Sequence, residues 1–221
     1  ISRSDFIQSA SLLLDKSFAA GPAAAYSLRR VSSSYSGPAV QIRRASDNVE
    51  VNVNFDSDGV VSLNSTISNV TEETTGSSTS LTTSAKTLGQ FVANASYTDA
   101  DSLGSTDSAL VQNWYDQSGN SNDAIQSTAA NQPKIVSSGS LVAQNGKPAI
   151  EFDGSNDRLF SASTYTPTTS MAQIVVAKGT SSSTDQIIGD SNDRRHGMAL
   201  RIQNGNFNYF NGIGSGFNTV T

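Results

Sequence analysis

Val49, Val51, Val53 and Phe55 alternate with Glu50, Asn52 and Asn54, and Val40 and Ile42 flank Gln41 in the same way. A period of two sends apolar side chains to one face of an extended chain and polar ones to the other, so these valines are best buried by β-strands. Ser46-Asp47-Asn48 lies between the two runs and supplies turn residues, which predicts two strands joined by a turn. Further short runs at 110–115, 134–137, 148–153, 172–178, 185–189, 197–203 and 206–210 are parted by Gly, Asn, Asp and Ser. The expected fold class is all-β.

Composition agrees with short strands and polar turns: 36% of the 221 residues are hydrophobic and 15% charged. This length suits one main domain. A formal net charge of -5 argues against a nucleic-acid partner, which would require clustered Lys and Arg. The pairs Arg29/Arg30, Arg43/Arg44 and Arg194/Arg195 fall in separate segments and read as surface pairs beside Asp residues. The absence of Cys excludes disulfides, thiolate zinc sites and cysteine nucleophiles, and tilts the source toward a microbe or virus. No apolar run approaches the roughly twenty residues that span a bilayer, so membrane insertion is not expected.

The N-terminal part predicts two or three short helices. Phe6, Ile7, Ala10, Leu13 and Leu14 share one helical face after Ser4, making residues 1–20 either a docking segment or a helix packed on its own domain. Gly21-Pro22 opens a second helical stretch carrying Tyr26, Arg29 and Arg30, with Gly37 beyond its end. Residues 56–84 read as a polar insertion or long surface loop within a domain covering 21–221. Leu81, Ala85, Leu88, Phe91, Val92 and Ala95 restore a helical period. No closing strand is evident after Gly212, Gly214 and Gly216, so the expectation is that further chain, or another chain, supplies a sheet edge.

Two clusters stand out as candidate sites. Trp114-Tyr115-Asp116-Gln117-Ser118-Gly119-Asn120 ends a strand in a polar turn, and Ile150 to Leu159 (IEFDGSNDRL) is strand, turn and strand. Trp114 is a candidate sugar-stacking platform, with a core position as the alternative. Asp116 and Asn120 are candidates for sugar hydroxyls or caps of their own turn. Asp153, Asn156 and Asp157 join the candidate carbohydrate-binding set with Tyr115, and Asp153 and Asp157 make a candidate Ca²⁺ loop. Asp56-Ser57-Asp58-Gly59 reads as a turn, because the Glu that would complete a calcium loop is missing. Asp185, Asp190 and Asp193 read as solvated turn aspartates. No metal site and no cofactor are otherwise expected.

AAAYSLRR at Ala23–Arg30, VQIRRASDN at Val40–Asn48 and WYDQSGN at Trp114–Asn120 resemble the catalytic domain of the α-L-arabinofuranosidase B family. NQPKIV at Asn131–Val136 and IEFDGSNDRL are similar to phage and bacterial surface proteins with a concanavalin A-like jelly-roll β-sandwich. The resemblance implies that sandwich over roughly residues 20–205. The enzymes' adjacent Cys pair has no counterpart here, and the family's two catalytic carboxylates would fall at or beyond the end of this sequence. No catalytic residue is therefore assigned. The expectation is a non-enzymatic virion surface protein, such as a tail or head fibre or a capsid decoration. It would be virion-borne or extracellular, bind cell-surface glycans and other virion proteins, and form a homo-oligomer, a trimer by preference. The alternatives are a fragment of an arabinofuranosidase-type hydrolase and a bacterial adhesin or carbohydrate-binding module.

Overall fold

A computed structural model describes residues 11–16, 21–74, 77–80, 86–93, 107–161, 174–179, 186–189, 199–203, 206–210 and 218–219. The fold is mostly β, every strand pairing among the described residues is antiparallel, and the chain divides into two compact units, Ile1–Ser163 and Thr164–Thr221.

The first unit is built on β1 (Val40–Arg44), β2 (Val49–Val53), β3 (Ile67–Thr74), β4 (Ser77–Ser80), β5 (Ala109–Trp114), β6 (Ala124–Ile125), β7 (Lys134–Ser137), β8 (Ser140–Leu141) and β11 (Phe160–Ser161). They form one nine-stranded sheet of order β11-β6-β5-β1-β2-β3-β4, with β7 on the other half of β5 and β8 beside β7. A separate ribbon joins β9 (Ala143–Gln144) to β10 (Lys147–Pro148). The β7–β8 and β9–β10 links are two-residue turns, Ser138-Gly139 and Asn145-Gly146. All four residues have positive φ, the geometry whose twist matches a hairpin.

The valine alternation does what the sequence predicts. Val40, Ile42, Val49, Val51, Val53, Ala109 and Val111 are buried with Leu88, Phe91 and Val92 of helix α1 (Leu88–Ala93), joined by Leu28, Phe55 and Val61. Burying each large member contributes roughly 1.5–3 kcal/mol. Thr87 starts α1 with reciprocal bonds: its Oγ1 accepts the Gln90 amide at 3.3 Å, and Gln90 Oε1 accepts the Thr87 amide at 3.2 Å. The expected helix is thus present over Leu88–Ala93; Lys86 and Thr87 before it are not helical, and 81–85 and 94–95 of its predicted span lie outside the described residues.

Several expectations are overturned. The second helix, from Gly21, does not form: residues 21–31 run without helix, and Arg29 bridges Val60. Their backbone groups find partners far along the chain instead of four residues away. Ala25 N–H donates to Asp116, Val31 N–H to Gln117 and Arg30 N–H to the Gly59 carbonyl. The polar tract 56–84 is no simple loop either. After a turn at Asp56–Gly59 it supplies β3 and β4, with β3 paired along β2, so a neighbouring strand outweighs the low apolar content.

Arg44 belongs to no surface pair: it is fully buried. Its Nε and Nη2 hold Asp47 at 3.0 and 2.5 Å, its Nη1 donates to the Phe91 carbonyl at 2.6 Å, and its guanidinium lies 4.3 Å from the Phe91 ring centroid. The strand expected at 148–153 shrinks to β10 and a bridge between Lys134 and Glu151. Residues 4–10 of the expected N-terminal helix lie outside the described residues, and Leu13–Asp15 form a 3-10 turn. There Leu14 N–H donates to the Val31 carbonyl and Asp15 accepts the Ser33 amide.

The second unit contains an antiparallel meander of β12 (Gln186–Gly189), β13 (Ala199–Gln203), β14 (Asn206–Phe210) and β15 (Asn218–Thr219). Three of these strands fall where the alternation predicts them, and β15 closes on β14 after the glycine-rich stretch, where no strand is evident from sequence. Of the strand expected at 172–178, residues 174–178 are described and form none. Asp185, Asp190 and Asp193 lie outside the described residues.

Candidate functional site

Cross-strand partners share a sheet face. Opposite the valine core, the register aligns Ser68, Asn52, Gln41 and Asn113 in one row and Thr71, Glu50, Arg43, Leu110 and Lys134 in the next. This polar face is unusually enclosed for hydrophilic side chains: Glu50 is 6% and Asn52 7% exposed. Several of its groups are joined by hydrogen bonds. Gln41 Nε2 donates to Glu50 at 3.3 Å, and the Tyr115 hydroxyl donates to Asn52 Oδ1 at 2.9 Å. Arg43 donates from Nε to Gln132 at 2.8 Å, from Nη1 to Asn48 at 2.8 Å and from Nη2 to the Ala129 carbonyl at 3.4 Å. Burial pushes the Tyr115 phenol above its ordinary pKa and the Arg43 guanidinium below its own.

β5 departs from regular pleating where it meets β1. Gln41 faces Asn113 and Ile42 faces Val111, leaving Gln112 as an inserted residue. Such a bulge turns consecutive side chains toward one face. The buried side-chain oxygens of Gln112 and Asn113 have no hydrogen-bond partner.

The candidate residues of the cluster Trp114–Asn120 are placed in three settings. Tyr115 joins the polar face through Asn52. Trp114 pairs with Val40 on the opposite side, its ring tilted 41° against Tyr26 at 5.8 Å between centroids, and its buried indole N–H is unpartnered. Asp116 is 3% exposed and saturated: Oδ1 accepts the amides of Ala25 and Ser118, each at 2.8 Å, while Oδ2 accepts the Ser118 hydroxyl at 2.6 Å and the Asn122 amide at 3.1 Å. Asn120 donates to the carbonyls of Pro22 and Ala23 at 2.8 and 3.2 Å. The neighbouring Gln117, absent from the candidate set, is 2% exposed; it accepts the Val31 amide and donates to the Ser27 and Arg29 carbonyls. This turn therefore fastens residues 22–31 to the sheet.

Asp153, Asn156 and Asp157 form a self-capping turn. Asp153 Oδ1 accepts the amides of Ser155, Asn156 and Asp157 at 2.8, 3.1 and 3.2 Å, and Asp157 returns an acceptor to the Asp153 amide at 2.9 Å. The amide donors hold the Asp153 carboxyl below its ordinary range, whereas burial raises that of Asp157. Asn156 donates to Asn131 at 3.0 Å. Among the described residues no group of three or more His, Cys, Asp or Glu side chains could hold a metal ion.

Sequence reasoning overlooked Gln41, Asn52, Gln112 and Asn113. The first two carry a signal, since they occupy the polar positions of the same alternation that places the valines. Comparison with protein-family models, curated proteins and solved structures finds no match to this chain.

Proposed function

We propose that this chain is a non-enzymatic glycan-recognising module, a concanavalin-like jelly-roll sandwich carried on a virion surface as a fibre or decoration protein. The observation that carries the glycan reading is the enclosed face of amides, a carboxylate and a phenol on the central sheet. Convergent hydrogen-bonding side chains in a partly dry setting are what sugar hydroxyls require. The virion setting rests on the sequence resemblance and on the polar, Cys-free composition, and a symmetric homo-oligomer, by preference a trimer, accords with fibre proteins as a class.

The hydrolase alternative finds no support on this face. Glu50 and Glu151 belong to one cross-strand row, Glu50–Arg43–Leu110–Lys134–Glu151. Four strand spacings separate them by roughly 19 Å, whereas glycosidase carboxylate pairs stand about 5–9.5 Å apart. A glycan array probed with the folded chain tests recognition: reproducible binding to a defined set of glycans supports it, and no binding to any removes it. Mass spectrometry of purified virions tests the location.

A further inference from the structure

Resting on the glycan reading, we infer that Gln112 and Asn113 form the seat of an uncharged saccharide, each amide engaging neighbouring sugar hydroxyls. Register supplies the placement, because Asn113 shares its face with Gln41 and Asn52, and the inserted Gln112 turns to the same side. Chemistry supplies the vacancy in hydrogen bonding. Tyr115 is committed to Asn52, Gln41 to Glu50, and all three Arg43 nitrogens to Gln132, Asn48 and Ala129. The Gln112 and Asn113 oxygens are unpartnered, and because both residues are only half-buried, a rotation of each terminal amide brings its free capacity to a ligand.

A buried amide oxygen without a partner costs folding free energy, and a ligand that donates to it recovers that cost on binding. An amide offers a donor and an acceptor side by side, which matches adjacent hydroxyls that each donate and accept. Nothing on this face selects an anion: Arg43 and Lys134 are matched by Glu50 and Glu151 in the neighbouring row, and the Arg43 nitrogens are already committed.

The test uses the full chain and the variants Asn113→Val and Gln112→Thr, whose residues suit a strand. Probes are arrayed neutral, sialylated and sulfated glycans, followed by titration calorimetry with the best binder. Neutral glycans are expected to bind. Each variant is expected to weaken binding about tenfold, the worth of a hydrogen bond or two, while the thermal midpoint holds or rises, because neither oxygen has a partner to lose. Preference of the wild-type chain for sialylated or sulfated glycans, unchanged affinity in both variants, or a marked fall in their stability overturns this inference and leaves glycan recognition standing. A folded wild-type chain that binds no glycan overturns both.

Discussion

The Asp116 carboxylate accepts the Ala25 amide at 2.8 Å, joining positions 91 residues apart. With Gln117, Asn120 and Asn122 it replaces a strand partner for residues 22–31, whose amides and carbonyls bond to these four side chains. Asp116→Ala leaves several buried donors unsatisfied and is expected to lower stability by about 3 kcal/mol. Asn120→Ala, at an exposed site of the same turn, is expected to cost about 1 kcal/mol or less. Urea denaturation of the two variants separates a fastening role from a ligand-binding one, since the latter would leave Asp116→Ala stable.

The buried Arg44 and the half-buried Asp47 form a bidentate pair at the β1–β2 hairpin. Asp47→Ala strands a buried guanidinium and is expected to cost about 3–5 kcal/mol, whereas combining it with Arg44→Met recovers most of that loss. A double-mutant cycle by chemical denaturation measures the coupling. Additive losses would show that the two side chains act independently.

Burial pushes the Tyr35 phenol from its ordinary 10.0 up to about 12. Its hydroxyl donates to the Pro38 carbonyl at 2.8 Å. A phenol that ionises later in the folded chain contributes stability fully present below pH 10, lost as pH rises toward 12. Tyr26 and Tyr115 shift the same way. Alkaline titration followed by phenolate absorbance is expected to show delayed tyrosines, and Tyr35→Phe should flatten the alkaline loss of stability while giving up about 1 kcal/mol for its hydrogen bond. An unchanged alkaline slope would contradict this.

Gly89 sits in α1, where alanine ordinarily favours a helix. A Cβ there would stand 3.0 Å from the Leu63 carbonyl oxygen, which accepts the Gly89 amide at 2.8 Å. Gly89→Ala is therefore expected to destabilise by about 1–3 kcal/mol despite its better propensity. A thermal midpoint raised by the substitution would show that the Leu63 segment yields.

Much of the site was half legible. The cluster Trp114–Asn120 is conspicuous from sequence, and the structure gives it a place of consequence. Its Asp116 and Asn120 nevertheless face the chain's own backbone, because an amide and carbonyls of residues 22–31 bond to them. Gln41 and Asn52 could have been read from the polar half of the valine alternation. Gln112 and Asn113 could not: a one-residue bulge depends on how β5 and β1 settle against each other, and no local pattern marks it.

The sequence by itself determined the β class, the β1–β2 hairpin and the valine face, because a period of two and turn residues act over a few positions. Tertiary structure alone decided that residues 21–31 give up a helix, that the polar tract becomes β3 and β4, and that Arg44 is buried. In each case a partner distant along the chain supplies hydrogen bonds or packing that outweigh local propensity, and such partners exist only once the chain has folded.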